Sequence, residues 1–200
     1  LFKQGSKLRS ISVMKNILVE ANVAEEFPKD FGIYDLNQFL NGLSLHSSPD
    51  LDFERDQYVV IKEGKYRSKY FFADPSVIVA PPEKEITLPS EDVCFELTSQ
   101  QLEKIKKAAS IYQVPDVSVI GEAGVIKLVC RDKKNDTSNN FSIIVGETDT
   151  EFVFNFKEEN LKIIPGNYNV VVSAKLLARF SNQNYDVQYY IALEPDSTFG

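Results

Sequence analysis

The sequence predicts an α+β chain made of two similar domains. Three observations carry this: alternating and β-branched apolar runs dominate, three segments of helical periodicity interrupt them, and a pair of short motifs recurs about 120 residues later. Strands are read at 8–13, 16–23, 58–62, 66–73, 117–120, 125–130, 141–145, 152–156, 168–175 and 187–193. These runs are rich in Val, Ile, Phe or Tyr, which suit a pleated, half-buried surface. Glu63-Gly64 and Gly121-Glu122-Ala123-Gly124 fall between consecutive runs and supply hairpin turns. No helix-opening pattern follows the second, so it does not read as a phosphate-cradling loop.

The first helix follows Asp35, an N-cap residue, and places Leu36, Phe39, Leu40 and Leu43 on one face. The second starts at Thr98 or Ser99, where Thr98 and Gln101 have the spacing of a capping box, and runs to Tyr112 before Val114-Pro115 stops it. The third is short, 157–163, and ends at Pro165-Gly166. All three are expected to pack on sheets. Prolines and charges collect in 73–90, which reads as a connector between an N-terminal domain, 1–82, and a C-terminal domain, 91–200. Lys69-Tyr70-Phe71-Phe72-Ala73 with Asp74-Pro75-Ser76 returns as Gln188-Tyr189-Tyr190-Ile191-Ala192 with Pro195-Asp196-Ser197. Upstream, Phe31-Gly32-Ile33-Tyr34-Asp35 returns as Phe154-Asn155-Phe156-Lys157-Glu158. Two motifs in one order at one offset point to two copies of one fold.

Composition narrows the function classes. A net charge of −7 argues against a protein that grips nucleic acid over its whole surface, so any such contact is local. No run of about 18 apolar residues suggests a membrane span, and no secretory leader pattern opens the chain. Cys94 and Cys130 lie in apolar, strand-like settings and read as buried free thiols of a reducing compartment. With His46 as the only histidine, neither a metal site nor any cofactor is expected. The nucleophile-elbow, zincin and P-loop patterns are absent, and Asp132-Lys133-Lys134-Asn135-Asp136 lacks the alternating ligands and glycine of an EF-hand loop. The chain therefore reads as a non-enzyme.

The second helix has an apolar stripe of Leu102, Ile105, Ala109 and Tyr112, with Lys104 and Lys107 opposite it and Gln100 and Lys106 toward the flanks. That cationic face is either an ordinary solvated surface or a local phosphate-contacting one. Ile111 falls among the polar residues, against the pattern.

Ordered segments along nearly the whole chain resemble the sliding clamps of T-even-type phages. They are Gly32-Ile33-Tyr34-Asp35-Leu36-Asn37-Gln38-Phe39-Leu40, Ala73-Asp74-Pro75-Ser76 with Val79-Ala80-Pro81, Pro165-Gly166-Asn167-Tyr168, and Ala192-Leu193-Glu194-Pro195-Asp196-Ser197-Thr198. The resemblance implies a DNA-clamp fold, similar in architecture to the eukaryotic proliferating cell nuclear antigen. Two-domain protomers would close head to tail into a homotrimer with helices lining the hole. It also implies a further strand and helix upstream of Leu1.

Under the resemblance, Lys104, Lys106 and Lys107, then Lys157 and Lys162, face duplex DNA without reading its sequence. The strand carrying Tyr66, Lys69 and Phe71 adds to the neighbour's strand carrying Phe141, Ile143 and Val145. Partner peptides anchor on Ile78, Val79 and Pro81 of the connector and on Tyr190, Leu193 and Pro195. The implied partners are the replicative DNA polymerase, a clamp loader and late-transcription factors, in the cytoplasm of an infected bacterium. A β-rich structural component of a virion is the alternative that strand richness alone would allow.

Overall fold

The computed structural model describes all 200 residues, which divide into two compact units. One comprises Leu1–Ile11 with Glu20–Pro82, the other Ser12–Val19 with Glu83–Gly200.

In the first unit, β1 (Gly5–Ile11) and β2 (Ile17–Phe27) are neighbouring strands, and the opening residues of β2 belong to the second unit. α1 (Leu36–Leu43) begins where the Asp35 carboxylate accepts a hydrogen bond from the backbone N–H of Gln38 at 2.9 Å, so the N-cap is the expected one. β3 (Asp50–Asp52), β4 (Tyr58–Glu63) and β5 (Tyr66–Phe71) form an antiparallel sheet in that order, leaving β5 at an edge. Alternation along β4 turns Val59 and Ile61 inward, where they meet Phe31, Ile33 and Phe39. Phe31 stacks on Phe2 with centroids 4.6 Å apart and also meets the rings of Phe27, Phe53 and Phe72. Of the apolar face expected on α1, only Phe39 is buried, whereas Leu36 and Leu40 are exposed. A two-turn helix against a three-stranded sheet covers too little surface to bury more.

The second unit is larger. β6 (Val93–Leu97) alternates strictly, with Val93, Phe95 and Leu97 inward and Cys94 and Glu96 outward. Both cysteines are free thiols, but only Cys130 is buried; Cys94 lies on the exposed face of β6, contrary to the sequence reading. α2 (Ser99–Tyr112) opens on the predicted capping box: the Thr98 hydroxyl accepts from Gln101 N at 3.3 Å, and Gln101 Oε1 accepts from Thr98 N at 2.9 Å. It ends at Gln113, held in the left-handed region at φ 54°. Leu102, Ile105, Ala108 and Ala109 are buried, and Leu102 and Ile105 each contribute roughly 1.5–3 kcal/mol of burial. Tyr112, expected on the same stripe, is exposed.

The chain continues through β7 (Asp116–Glu122), β8 (Val125–Arg131), β9 (Phe141–Glu147), β10 (Phe152–Lys157), β11 (Tyr168–Ser173), β12 (Leu177–Asn182), β13 (Val187–Ala192) and β14 (Thr198–Phe199). One sheet has the order β14-β10-β7-β8-β9, with β9 at an edge and α2 packed on β8 and β9. In the other, β6-β11-β12-β13 is extended past β13 by the opening residues of β2. A continuous core fills the unit, with Tyr168, Phe154 and Phe156 among its largest members. Tyr168 donates from its hydroxyl to the Ile164 carbonyl at 2.6 Å, and burial pushes its phenol up to about 12.

The third helix of the sequence reading is a 3-10 turn, Glu158–Leu161, and Lys157 is the last residue of β10. Asn160, Leu161 and Ile163 are all buried, and Glu158 N donates to the Pro115 carbonyl at 2.9 Å. The segment is thus drawn against the core too tightly for an α-helix with one wet face. β3, β12 and β14 were not anticipated as strands, and β6 was foreseen only as a strand-like setting around Cys94. The internal repeat has a structural meaning in each unit. In the first, Ala73 N donates to the Gly32 carbonyl at 2.9 Å; in the second, Glu194 N donates to the Asn155 carbonyl at 2.8 Å. Both ties fasten the residues following a strand of one motif onto the centre of the other. At Gly32 the approach is so close that an added Cβ would lie 2.5 Å from the Ala73 oxygen.

Candidate nucleic-acid and partner interfaces

The outer face of α2 presents Gln100, Lys104 and Lys107 to solvent, with Lys106 half-buried at its flank, as the helical period dictates. None of these lysines has an ion-pair partner, so their charge is available to an external anion. Glu103 is the one carboxylate in the helix. Ser99 N donates to the Asn167 side chain at 2.8 Å, which fastens the first turn to the loop before β11 and fixes the helix against the sheets.

Lys162 is also exposed, but Lys157 is not a free cation. Its ammonium lies 2.7 Å from Oδ1 of Asp116, whose side chain is 1% exposed, and this hydrogen bond raises the lysine's pKa. Asp116 Oδ2 also accepts from Lys133 N at 3.2 Å. Lys133 in turn reaches Asp196 at 2.8 Å and Glu194 at 3.4 Å, and Asp196 is held below the usual carboxylate range by Lys133. The network fastens the segment after β13 to β7 and β10, and its separations along the chain left no local pattern to find. A charged residue heading the apolar run of β7 was the available signal.

The two strands expected to join neighbouring chains are both sheet edges: β5 in the first unit, β9 in the second. Tyr66, Lys69 and Phe71 are exposed, and the Lys69 ammonium lies 5.0 Å from the Tyr58 ring centroid. On β9, Phe141, Ile143 and Val145 turn toward their own core, and the outward residues are Ser142 and Ile144. The β9 edge therefore offers backbone groups rather than those three side chains. β13, the counterpart of β5 in the repeat, is covered by the start of β2, with Ala192 N donating to the Asn16 carbonyl at 2.9 Å. β5 has no such cover.

Among the residues expected to anchor peptides, Val79 is exposed and Ile78 and Pro81 are half-buried in the first unit. In the second, Pro195 is exposed, but Tyr190 and Leu193 are buried, and Leu193 belongs to the core. No cluster of His, Cys, Asp or Glu side chains could hold a metal ion. No helix is long and apolar enough to cross a membrane.

Comparison with known families decides between the readings. Residues 94–195 match the family described as gp45 sliding clamp, C terminal, and residues 1–80 match the DNA polymerase processivity factor family. The chain belongs to the sliding-clamp family. It is a DNA polymerase processivity factor by descent, and nothing favours the virion alternative. Curated clamps from Vibrio phage KVP40 and Enterobacteria phage T4 are 32% and 31% identical to this clamp. They match over 95% and 99% of its length and 88% and 90% of their own.

Solved structures carry the same architecture at much lower identity. The Proliferating Cellular Nuclear Antigen of Entamoeba histolytica superposes with a TM-score of 0.70 at 14% identity, covering 97% of this clamp and 87% of that chain. The sliding clamp of Pseudomonas aeruginosa, DNA polymerase III subunit beta, gives 0.69 at 14%, covering 96% of this clamp and 55% of that chain. These likenesses establish the clamp fold.

Proposed function

We propose that this clamp closes as a homotrimer around duplex DNA and tethers the replicative DNA polymerase, acting by topology and not by catalysis. Its two clamp domains are 1–82 and 91–200, with 73–90 as the connector and Ser12–Val19 lent by the first stretch of chain to the second domain. The observation that carries the ring is that β5 is a bare edge while its counterpart β13 is covered, with β9 an edge of a sheet in the second unit. A head-to-tail joint of β5 on the next chain's β9 is heterologous and closes into a ring when the rotation divides a circle. Lys104 and Lys107 supply attraction to phosphates, with Lys106 and Lys162 flanking; because no base is read, the ring can slide. Lys157 serves the fold through Asp116.

A polymerase peptide would find apolar side chains at Val79, Ile78 and Pro81 of the connector and at Pro195, with Tyr190 and Leu193 supporting the latter from beneath. A clamp loader and late-transcription factors are further partners of this reading, in the cytoplasm of the infected host. Retention on nicked circular DNA, compared with the same DNA linearised, tests it. Slow loss from circles and rapid loss from linear ends is expected; equal loss from both would overturn the ring. In the Lys104→Glu, Lys107→Glu variant, the slope of log binding against log salt should fall by roughly one per lysine removed. An unchanged slope would remove α2 from the DNA face.

A further inference from the structure

Lys133 stands in the loop after β8, yet its side chain is only 8% exposed. It lies at the centre of a network within the second unit whose charges balance: Arg131, Lys133 and Lys157 against Asp116, Glu194 and Asp196. Arg131 joins through neutral groups. Its Nε donates to the Ser118 hydroxyl at 3.1 Å, Ser118 donates to Oδ1 of Asn155 at 2.7 Å, and Asn155 Nδ2 donates to Oδ1 of Asp196 at 3.2 Å. Buried charges arranged in this way add little net stability, because desolvation offsets their attraction, but they can fix one arrangement of the chain over others.

The arrangement fixed here is the bend Glu194–Ser197. Backbone ties hold its two ends: Glu194 N donates to the Asn155 carbonyl at 2.8 Å, Ser197 N donates to the Glu194 carbonyl at 3.1 Å, and the Ser197 hydroxyl accepts from Asn155 N at 3.0 Å. Pro195 between them is exposed and has no N–H to give, so its placement depends on the residues at either side. Both of those are carboxylates, and they converge on one ammonium. Lys133 Nζ reaches Oδ1 of Asp196 at 2.8 Å and Oε2 of Glu194 at 3.4 Å, and Lys157 Nζ lies 3.7 Å from the same Glu194 oxygen. Asp116 anchors both lysines to β7, one through its ammonium and the other through its backbone N–H.

We propose that Lys133 is a positioning residue for partner capture: by clamping Glu194 and Asp196 it holds Pro195 in the one bend that a polymerase peptide can use. The role rests on the peptide reading above and deepens it. Lys133 touches no partner itself and acts only through the bend. Its loss lets Glu194 and Asp196 turn to water, so the bend is freed without stranding a charge in the core.

The test uses the full chain and, as probe, the purified replicative DNA polymerase encoded with this clamp. Affinity for the polymerase is measured beside retention of the clamp on nicked circular DNA, which a general loss of structure would also lower. Lys133→Met keeps the buried stem and removes the charge, while Asp196→Asn opens the same clamp from a side chain that is 56% exposed. A freed bend that spends about a tenth of its time in the presenting form lowers the apparent affinity about tenfold. Both variants should show that loss with retention unchanged, and Asp196→Glu, which restores the carboxylate, should bind as the wild type does. Unchanged affinity in both variants, a loss that Asp196→Glu does not restore, or a fall in retention equal to the fall in affinity overturns the positioning role. Pro195→Asp separates that role from the reading beneath it. If Pro195→Asp loses the polymerase while Lys133→Met and Asp196→Asn keep it, the positioning role alone falls; if Pro195→Asp binds undiminished, the peptide site falls with it.

Discussion

The first unit closes around five buried apolar side chains, Phe31, Ile33, Phe39, Val59 and Ile61, and the second around twenty-six. The first makes up part of the difference with half-buried rings, Phe2, Phe27, Phe53, Tyr70 and Phe72, arranged around Phe31 and Phe39. A ring cluster of this kind gains from edge-to-face contacts but leaves much of its area wet. One copy of a duplicated fold can therefore run on a thin core while the other carries a continuous one, and the thin copy is the one whose β5 stands bare where its counterpart β13 is covered.

Removing one ring from each core tests that contrast most severely. Phe31→Ala and Phe154→Ala should each cost about 3–5 kcal/mol, but in the first unit that loss is a large part of what holds the unit together. Hydrogen exchange on Phe31→Ala should show the amides of β4 and β5 losing protection while those of β7 and β8 keep theirs. Simultaneous loss in all four strands would mean that the two cores unfold as one.

The charge network distinguishes the second unit further, because the Asp116 carboxylate is 1% exposed, whereas the Arg9–Glu20 pair of the first unit stays partly wet on both sides. Asp116→Asn leaves Lys157 and the Lys133 backbone facing a neutral amide and should cost about 2 kcal/mol in urea unfolding. A cost near zero would show that the segment after β13 is held by its backbone bonds alone. A smaller effect, about 1 kcal/mol, is expected of Thr98→Ala, which opens the capping box of α2. It should lower the melting temperature without altering the exposed lysine face.

The last contrast is silent at neutral pH. Tyr168 has its folded pKa raised to about 12 by burial, above the ordinary value of 10.0, so folding favours the neutral phenol. Its contribution is complete below pH 10 and is lost as pH rises from there toward 12. In a phenolate absorbance titration, one of the nine tyrosines should ionise late, and Tyr168→Phe should abolish that late step. An unchanged titration would place the late group elsewhere.

Most strands and α2 were legible because apolar alternation and the 3.6-residue period are local, and the Lys104 and Lys107 face follows from the same period. β12 escaped notice because Arg179, Ser181 and Asn182 interrupt an apolar signal carried inward by only Ala178 and Phe180. The 157–163 segment was misread because its buried Leu161 and Ile163 are two apart, a spacing no α-helix face explains. Lys157 looked like a free cation because its partner Asp116 lies 41 residues away. Cys94 looked buried because its apolar neighbours are, although neighbours on a strand point the opposite way.

One feature of the chain's layout bears on how the protein can be dissected. Residues Ser12–Val19 complete the second unit, yet they are made long before the rest of it, and the strand they open runs on into the first unit without a linker. During synthesis the second unit must wait for its own beginning, held in place within a segment already committed elsewhere. Cutting at the connector would likewise free no whole domain: a fragment starting at Glu83 would leave β13 uncovered, an invitation to pair with whatever strand it meets.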